Sequence, residues 1–317
     1  MRILVTGGAG FIGSNVVSAF AGEHEIAVVD DLSTGSSANL HADARFIRMS
    51  ILDESLAHEF ARFRPDAVVH LAAQASVVAS IKNPAHDWAV NVEGTRAVAR
   101  AAADAGARVM ISASSAAVYG DPVELPLAET ARKQPASPYG HSKHAAEEVL
   151  AGELIAAGVD FASFRFSNVY GPRQVPAGEG GVVAVFLDKV ASGEKIRIHG
   201  TGEQTRDFIY VGDVVSAISA ALGFEGSLRE GGGGGPAYNI ATGNRTSVSG
   251  LVAKLASICG SDIRTIHEAA REGDILHSSL DATKARRVFG WDARIPLDIG
   301  LAATYGWLTE SGNDGAR

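Results

Sequence analysis

The sequence predicts an α/β fold, a doubly wound parallel sheet with a smaller C-terminal lobe beside it. Three observations carry that expectation. Short apolar runs alternate with longer Ala-rich segments of helical period. The apolar runs, such as AVVHLA at 67–72, are apolar throughout. The first of them ends in a glycine-rich turn, TGGAGFIGS, that opens a helix. Alternating strands and helices build a parallel sheet covered on both faces, and strands buried on both faces have no polar side to alternate with.

Taken in order, strands are expected at 2–6, 25–29, 45–49, 67–72, 107–113 and 160–166. Helices are expected between them at 12–20, 56–63, 92–105 and 139–157. This rhythm bounds a first domain at residues 1–167. Beyond it, GPRQVPAGEGG reads as a loop and a helix follows at about 183–191. Then come IRIHGTGEQTRDFIYV, a helix near 212–222 and a strand near 237–240. We read 168–317 mainly as a second lobe, with elements near 208–243 returning to the first sheet. GGGGGP at 231–236 has no side chains to pack and reads as a mobile surface loop. The tail SGNDGAR reads as frayed.

Composition narrows the function. A chain of 317 residues with 46% hydrophobic content can bury a sizeable core. A net charge of −8 without a basic block argues against a nucleic-acid surface. No apolar run approaches the ~20 residues that span a bilayer. The opening MRILVTGGAGF enters a strand without the segments of a secretion leader. The single Cys259 leaves no internal disulfide and no cysteine-built metal cluster, and reads as a small buried hydrophobe. A soluble, cytoplasmic protein without a metal site or a membrane partner is expected.

The glycine turn has chemistry of its own. Gly8-x-Gly10-x-x-Gly13 fits the dinucleotide fingerprint, and Gly7-x-x-Gly10-x-x-Gly13 its looser variant. Glycines there allow a tight turn and bring backbone N–H groups close to a pyrophosphate, at a helix N-terminus whose partial charge is positive. Asp30 ends the second strand in EIAVVDD, where a carboxylate takes ribose hydroxyls. Asp31 follows with no arginine beside it, so a 2′-phosphate would be repelled. A Rossmann-type domain holding NAD, not NADP, is expected.

In SPYGHSK, Tyr139 and Lys143 stand four apart at a helix start and share a face. Upstream, SSAAVYGD puts Ser114 and Ser115 at the carboxyl end of a central strand, where open α/β sheets bind ligands. A phenol normally ionises near pH ~10, and nearby positive charge lowers that by about one to three units. With Lys143 and the oxidised nicotinamide beside it, Tyr139 can act as a base near neutrality. Ser115 would bridge it to a substrate hydroxyl. His141 and His144 fall on other faces and read as solvated.

Along nearly its whole length the chain resembles the extended short-chain dehydrogenase/reductases, and among them the NAD-dependent nucleotide-sugar epimerases typified by UDP-glucose 4-epimerase. The stretches that carry the resemblance are TGGAGFIGS, VVDDLSTG, VVHLAAQ, NVEGT, SSAAVYGD, SPYGHSK, RFSNVYGPRQ, GTGEQTRDFIYVGDV, YNIATG, REGD and DATKARRVFGW. The resemblance implies that Gly7, Gly10, Phe11, Ile12 and Gly13 line the cofactor, with Asp30, Asp31, Ser33, Thr34 and Gly35 at its adenosine end. It adds Ser50 and Ile51, then Leu71, Ala72, Ala73 and Gln74. Asn91, Ala113, Tyr139, Lys143 and Phe166 complete that set. For the substrate it implies Ser115, Asn168, Val182 and Ser278, Arg206 and Arg271 on the diphosphate, and Asp274 on the uridine ribose. Forked guanidinium donors suit a diphosphate.

Departures from the family pattern also inform. Ser50 in MSILD stands where an acid usually meets the adenine amino group, and Asp53 lies beyond that place. Ala117 replaces a frequent threonine. Ala116 and Ala117 occupy the place of the acid pair that removes water in related dehydratases, so elimination is not expected. Ser278 replaces a bulky tyrosine in some members and leaves room for a 2-N-acetyl group. The reaction implied is the interconversion of UDP-hexoses at C4, UDP-glucose with UDP-galactose or the N-acetylated pair, through a transient 4-ketose. UDP-glucuronate 4-epimerisation and nucleotide-sugar 4-reduction remain alternatives, the latter disfavoured by Asp30 and Asp31. A non-catalytic NAD-binding regulator is a further one, disfavoured by the retained Ser115, Tyr139 and Lys143. The resemblance also implies a homodimer pairing the helix after NVEGT with the one carrying Tyr139.

Overall fold

The computed structural model describes residues 1–121, 124–176, 181–260, 262–270 and 275–314, with backbone only over 311–314. Its first half runs β1 (Arg2–Thr6), α1 (Phe11–Phe20), β2 (Glu25–Asp30), β3 (Arg45–Arg48), α2 (Leu56–Phe63), β4 (Ala67–His70), α3 (Val77–Lys82), α4 (Pro84–Trp88), α5 (Gly94–Asp104), β5 (Val109–Ser115), α6 (Pro138–Ala157) and β6 (Asp160–Phe166). The second half runs β7 (Asn168–Tyr170), α7 (Val182–Ala191), β8 (Ile196–His199), β9 (Thr205–Arg206), β10 (Phe208–Tyr210), α8 (Val211–Leu222), β11 (Ala237–Ile240), β12 (Thr246–Ser247), α9 (Val248–Cys259), β13 (Thr265–Glu268), α10 (Thr283–Phe289) and α11 (Leu297–Asp314).

Seven parallel strands form the main sheet in the order β11-β6-β5-β4-β1-β2-β3. The order 3-2-1-4-5-6 is the doubly wound dinucleotide-binding arrangement, extended here by β11. One face is covered by Val16, Val17 and Phe20 of α1, Val214 and Ile218 of α8 and Phe289 of α10. The other is covered by Leu56, Phe60 and Phe63 of α2, Val98 and Ala102 of α5 and Leu150 and Leu154 of α6. Each such large side chain contributes about 1.5–3 kcal/mol through burial. Among the described residues, three two-stranded sheets, β7 with β10, β8 with β13 and β9 with β12, lie outside the main sheet. Tyr170, Phe186, Leu187, Ile198, Leu251 and Leu301 form a separate core with α7, α9 and α11.

Four local features depart from the sequence expectations. The helix expected at 92–105 begins as a π-turn over Ala89–Glu93, where the Thr95 hydroxyl donates to the Asn91 carbonyl at 2.6 Å. Helices α3 and α4 are unforeseen, because five or six residues are too few to show a helical period; Ser76 and Asn83 cap them. Strand β5 starts at Val109 and runs on through Ser115. The glycine run at 231–236 lies at the surface as expected, with Gly232, Gly233 and Gly235 exposed, but Gly231 and Gly234 are packed against neighbours. A Cβ at Gly231 would collide with Tyr238 and one at Gly234 with Glu129. Lys284 donates to the carbonyls of Gly235 and Ala237, and Arg287 to that of Gly231.

Gly13 sits so close to the Gly7 carbonyl that a Cβ there would overlap it. Gly13→Ala is expected to lower stability by roughly 1–3 kcal/mol, the usual cost of overpacking, and to abolish NAD binding. Denaturant unfolding and NAD titration check both.

Candidate active site

The glycine loop closes over the ends of β1 and β2. Gly7 has φ +71° and donates to the Val29 carbonyl at 2.9 Å. A Cβ on Gly7 would lie 2.6 Å from the Ala72 nitrogen. Helix α1 has no side-chain cap and no acid in its first turn, so its leading N–H groups face outward for an anion. These cradles, which only glycine leaves open, fit a dinucleotide pyrophosphate. Phe11 and Ile12 flank them in the first turn of α1, half-buried.

Asp30 is buried, and its carboxylate accepts from the Ala9 N–H at 2.9 Å and the Leu32 N–H at 2.8 Å. It therefore ties the glycine loop to β2 as well as standing where ribose hydroxyls would come. Asp31 is exposed and accepts from the Ser33 N–H. Beyond Ser33 and Thr34, Gly35 lies against Ala9, whose carbonyl accepts from the Ser36 N–H and the Asn39 amide. Ser50 accepts from the Leu52 N–H, and Ile51 is buried against Gly94. Asp53 is taken up by Ser55, whose two bonds hold its carboxyl below the usual range, so it does not stand in for the acid missing at Ser50.

The opposite wall follows β4. His70 is buried between the Thr6 hydroxyl at 2.7 Å and the Thr95 hydroxyl at 3.0 Å. Burial, helped by the charge of Lys143, lowers its pKa to about 3, so the ring is neutral. The Thr6 hydroxyl also accepts from the Ala72 N–H, at the head of the Leu71–Ala72–Ala73 segment. Gln74 and Asn91 exchange two bonds: the Gln74 N–H donates to Asn91 Oδ1 and Asn91 Nδ2 donates to the Gln74 carbonyl, both at 2.9 Å. Asn91 also donates to Asp87 and to Ser142. Its amide is thus engaged within the protein and shapes the wall from behind. His70, Asp87 and Ser142 escaped the sequence reading; the one signal was a histidine inside an otherwise apolar strand.

At the carboxyl end of β5 the structure gathers the candidate trio. Ser115 accepts from the Ala117 N–H at 3.1 Å, which leaves its own proton to donate. Ser137 caps α6 by accepting from the Gly140 N–H, and Pro138 occupies the first turn. Tyr139 is half-buried in that turn, and its N–H donates to Ser80. Lys143 is buried, and its ammonium donates to the Ala113 carbonyl at 3.1 Å. Phe166, at the end of neighbouring β6, is also buried. His141 is exposed as expected, whereas His144 is half-buried, because it turns inward beside Ser163 and Arg165.

Asn168, Arg206 and Ser278 are brought together by main-chain bonds around Asp207. The Asn168 N–H donates to the Asp207 carbonyl and the Ser278 N–H to the Thr205 carbonyl, beside Arg206. The buried Asp207 carboxylate collects Thr242, Gly243 and Leu280. Burial raises its pKa against the pull of those bonds. Val182 is the first residue of α7. Arg271 and Asp274 lie outside the described residues. Ala116 and Ala117 lie in the 3-10 turn after Ser115 and offer no acid or base.

A model of the NAD-dependent epimerase/dehydratase family matches residues 3–241. The UDP-glucose 4-epimerase of Mycolicibacterium smegmatis is 40% identical over 96% of this chain and 97% of its own. Among solved structures, a UDP-glucose 4-epimerase from Thermotoga maritima with UDP-glucose has a TM-score of 0.93 at 39% identity, covering 98% of this chain and 99% of that one. A Thermus thermophilus UDP-glucose 4-epimerase complexed with NAD has a TM-score of 0.89 at 35% identity, over 98% and 99%.

An unfolded histidine takes up a proton near pH 6.5, but His70 only near pH 3. Between those values the unfolded chain binds more protons, so His70 makes stability fall as pH is lowered. His70→Gln is expected to flatten the pH dependence of unfolding free energy by up to about 1.4 kcal/mol per pH unit in that window. Urea unfolding at a series of pH values checks it; an unchanged slope refutes a neutral His70.

Proposed function

The chain belongs to the NAD-dependent epimerase/dehydratase family, and from that premise we propose that it is a UDP-hexose 4-epimerase working through a transient 4-ketose. The observation that carries the reading is the set Ser115, Tyr139 and Lys143 at the carboxyl end of β5, beside an NAD-type glycine cradle; Asn168 of the Asn168–Arg206–Ser278 cluster lies just beyond Phe166, the residue of β6 that pairs with Ser115.

The Gly7, Gly10 and Gly13 cradle would hold the cofactor's pyrophosphate and Asp30 its adenosine ribose. NAD, when bound, supplies a hydride acceptor and donor and is regenerated in each turnover. The chain's own residues handle the proton and the placement. Tyr139, held ionised by positive charge one helical turn away at Lys143, takes the proton of the sugar 4-hydroxyl. Ser115 donates its proton within that bridge and orients the hydroxyl. Arg206, with Arg271, holds the diphosphate, which leaves the sugar free to turn and present its other face. Tyr139 then returns the proton to the 4-oxygen. Ala116 and Ala117 supply no group for eliminating water, which favours epimerisation over dehydration.

UDP-glucose and UDP-galactose are the substrates we infer, with the N-acetylated pair admitted by the small Ser278 at the sugar pocket. We also propose a homodimer formed through the α5–α6 face. Those helices already pack on each other within the chain, tied by Arg96 and Arg100 to Glu153. Beside them α3 and α4 expose Val78, Ile81 and Trp88. The mass of the protein in solution checks this. We assign its work to the cytoplasm, a compartment that a chain with one cysteine suits.

Incubation with UDP-glucose, UDP-N-acetylglucosamine and UDP-glucuronate, followed by NMR, is expected to give the C4 epimer of the first and in lesser degree of the second. No epimer from any of the three would refute the activity. Tyr139→Phe is expected to lose about 10²-fold or more in kcat while still binding NAD; unchanged turnover would remove Tyr139 from the role of base.

A further inference from the structure

Helix α6 carries a third residue in the Tyr139–Lys143 series. Glu147 follows Lys143 by four, so residues 139, 143 and 147 run down one face, rotating by only about 40° at each step. Strand β5 meets that face at Ala113 and Ser114, the two residues before Ser115. The Ala113 carbonyl accepts from Lys143, the Ser114 hydroxyl donates to Glu147 Oε1 at 2.6 Å, and Ser115 is the hydroxyl assigned to the substrate.

From the other side Glu147 is gripped by Arg165 of β6. Arg165 Nε donates to Oε1 at 2.8 Å and a terminal nitrogen to Oε2 at 2.6 Å. The two side chains are 3% and 11% exposed. Burial opposes the charge on Arg165, but the bonds to Glu147 prevail and raise its pKa. The remaining terminal nitrogen donates to the Tyr119 hydroxyl and the Glu129 carbonyl. Arg165 is therefore fixed on several sides and acts as an anvil for Glu147.

Shape complementarity cannot do this work in the same half of the helix. Between Pro138 and Glu147 the buried residues of α6 are Gly140, Ser142, Lys143 and Ala146; its large buried side chains, Leu150 and Leu154, come later. Without bulky ridges there is little interlocking to resist sliding or rotation. Directional hydrogen bonds have to set the register instead.

We propose that Glu147 is a positioning residue for the reaction: clamped by Arg165 and bonded to Ser114, it fixes the height of α6 on β5 and so the placement of Tyr139 and Lys143 against Ser115. The proposal rests on the epimerase reading above for its catalytic consequence. Two variants test it in the NAD-loaded protein. Ser114→Ala removes the rung to β5 alone. The double variant Glu147→Gln/Arg165→Met removes both charges together, which avoids the unpaired buried ion that would unfold a single variant. For both, kcat is expected to fall about tenfold with KM changed less than about twofold, since displacements near 1 Å suffice. Amide hydrogen exchange over residues 139–143 is expected to speed up in both, while α2 is unaffected. Unaltered exchange at those amides overturns the proposal, and so does faster exchange with kcat unchanged. Because exchange is read without substrate, an unmodified protein that converts no UDP-hexose defeats the functional reading alone, and the exchange result still decides this one.

Discussion

A missing methyl group at Gly13 governs the cofactor half of the molecule. Because that position has no Cβ, α1 can start against the Gly7 carbonyl, and the loop between them can lie flat over the ends of β1 and β2. Gly7 in turn lets the segment after β4 close within contact of the same loop. Asp30 then fastens the arrangement by accepting from the loop's own Ala9 N–H. The concave surface offered to a dinucleotide is a by-product of three backbones approaching closer than side chains would permit.

The second governing feature is how polar groups are buried at the carboxyl ends of the central strands. His70 is kept neutral between two threonine hydroxyls. Lys143 lies close by and finds a carbonyl acceptor on β5. The Asp207 carboxylate collects donors from Thr242, Gly243 and Leu280, which offsets the cost of burying it, while the main chain of Thr205 and Asp207 holds Ser278 and Asn168 beside Arg206. Each group is satisfied by partners distant in sequence, so the site exists only when the sheet and the second lobe are both assembled. This couples folding to function: loosening the bonds around Asp207 moves Asn168 and Ser278 together, whereas the His70 and Lys143 contacts hold the first half of the chain.

Much of this is legible in the sequence alone. The period of the apolar runs marked six of the seven main-sheet strands and the return of the seventh, and GxGxxG followed by Asp30 marked the cofactor side. The spacing Tyr139 to Lys143 is a one-turn relation that any helix would honour, and Ser115 stood out by its place at a strand end. Harder cases had physical reasons. The helices α3 and α4 are too short to print a period. The glycine run at 231–236 looked unpackable because it lacks side chains, yet that lack is what admits Tyr238 and Glu129 against its backbone. Asn91 read as a cofactor residue, and the fold turns its amide toward Gln74, Asp87 and Ser142.

Sequence by itself determined the local chemistry: where strands and helices lie, which turn must be glycine, and which acid, phenol and ammonium are available. Those properties depend on neighbours a few residues away, within reach of backbone sterics and helical spacing. Only the tertiary structure decided which partners each polar group would meet. The bonds of Asp207 to Leu280, Asn91 to Ser142 and Glu147 to Arg165 and Ser114 join segments from 18 to 73 residues apart. No periodicity encodes such pairs, because they are set by the crossing of elements in the assembled sheet and by the cost of leaving a buried donor or acceptor unpaired.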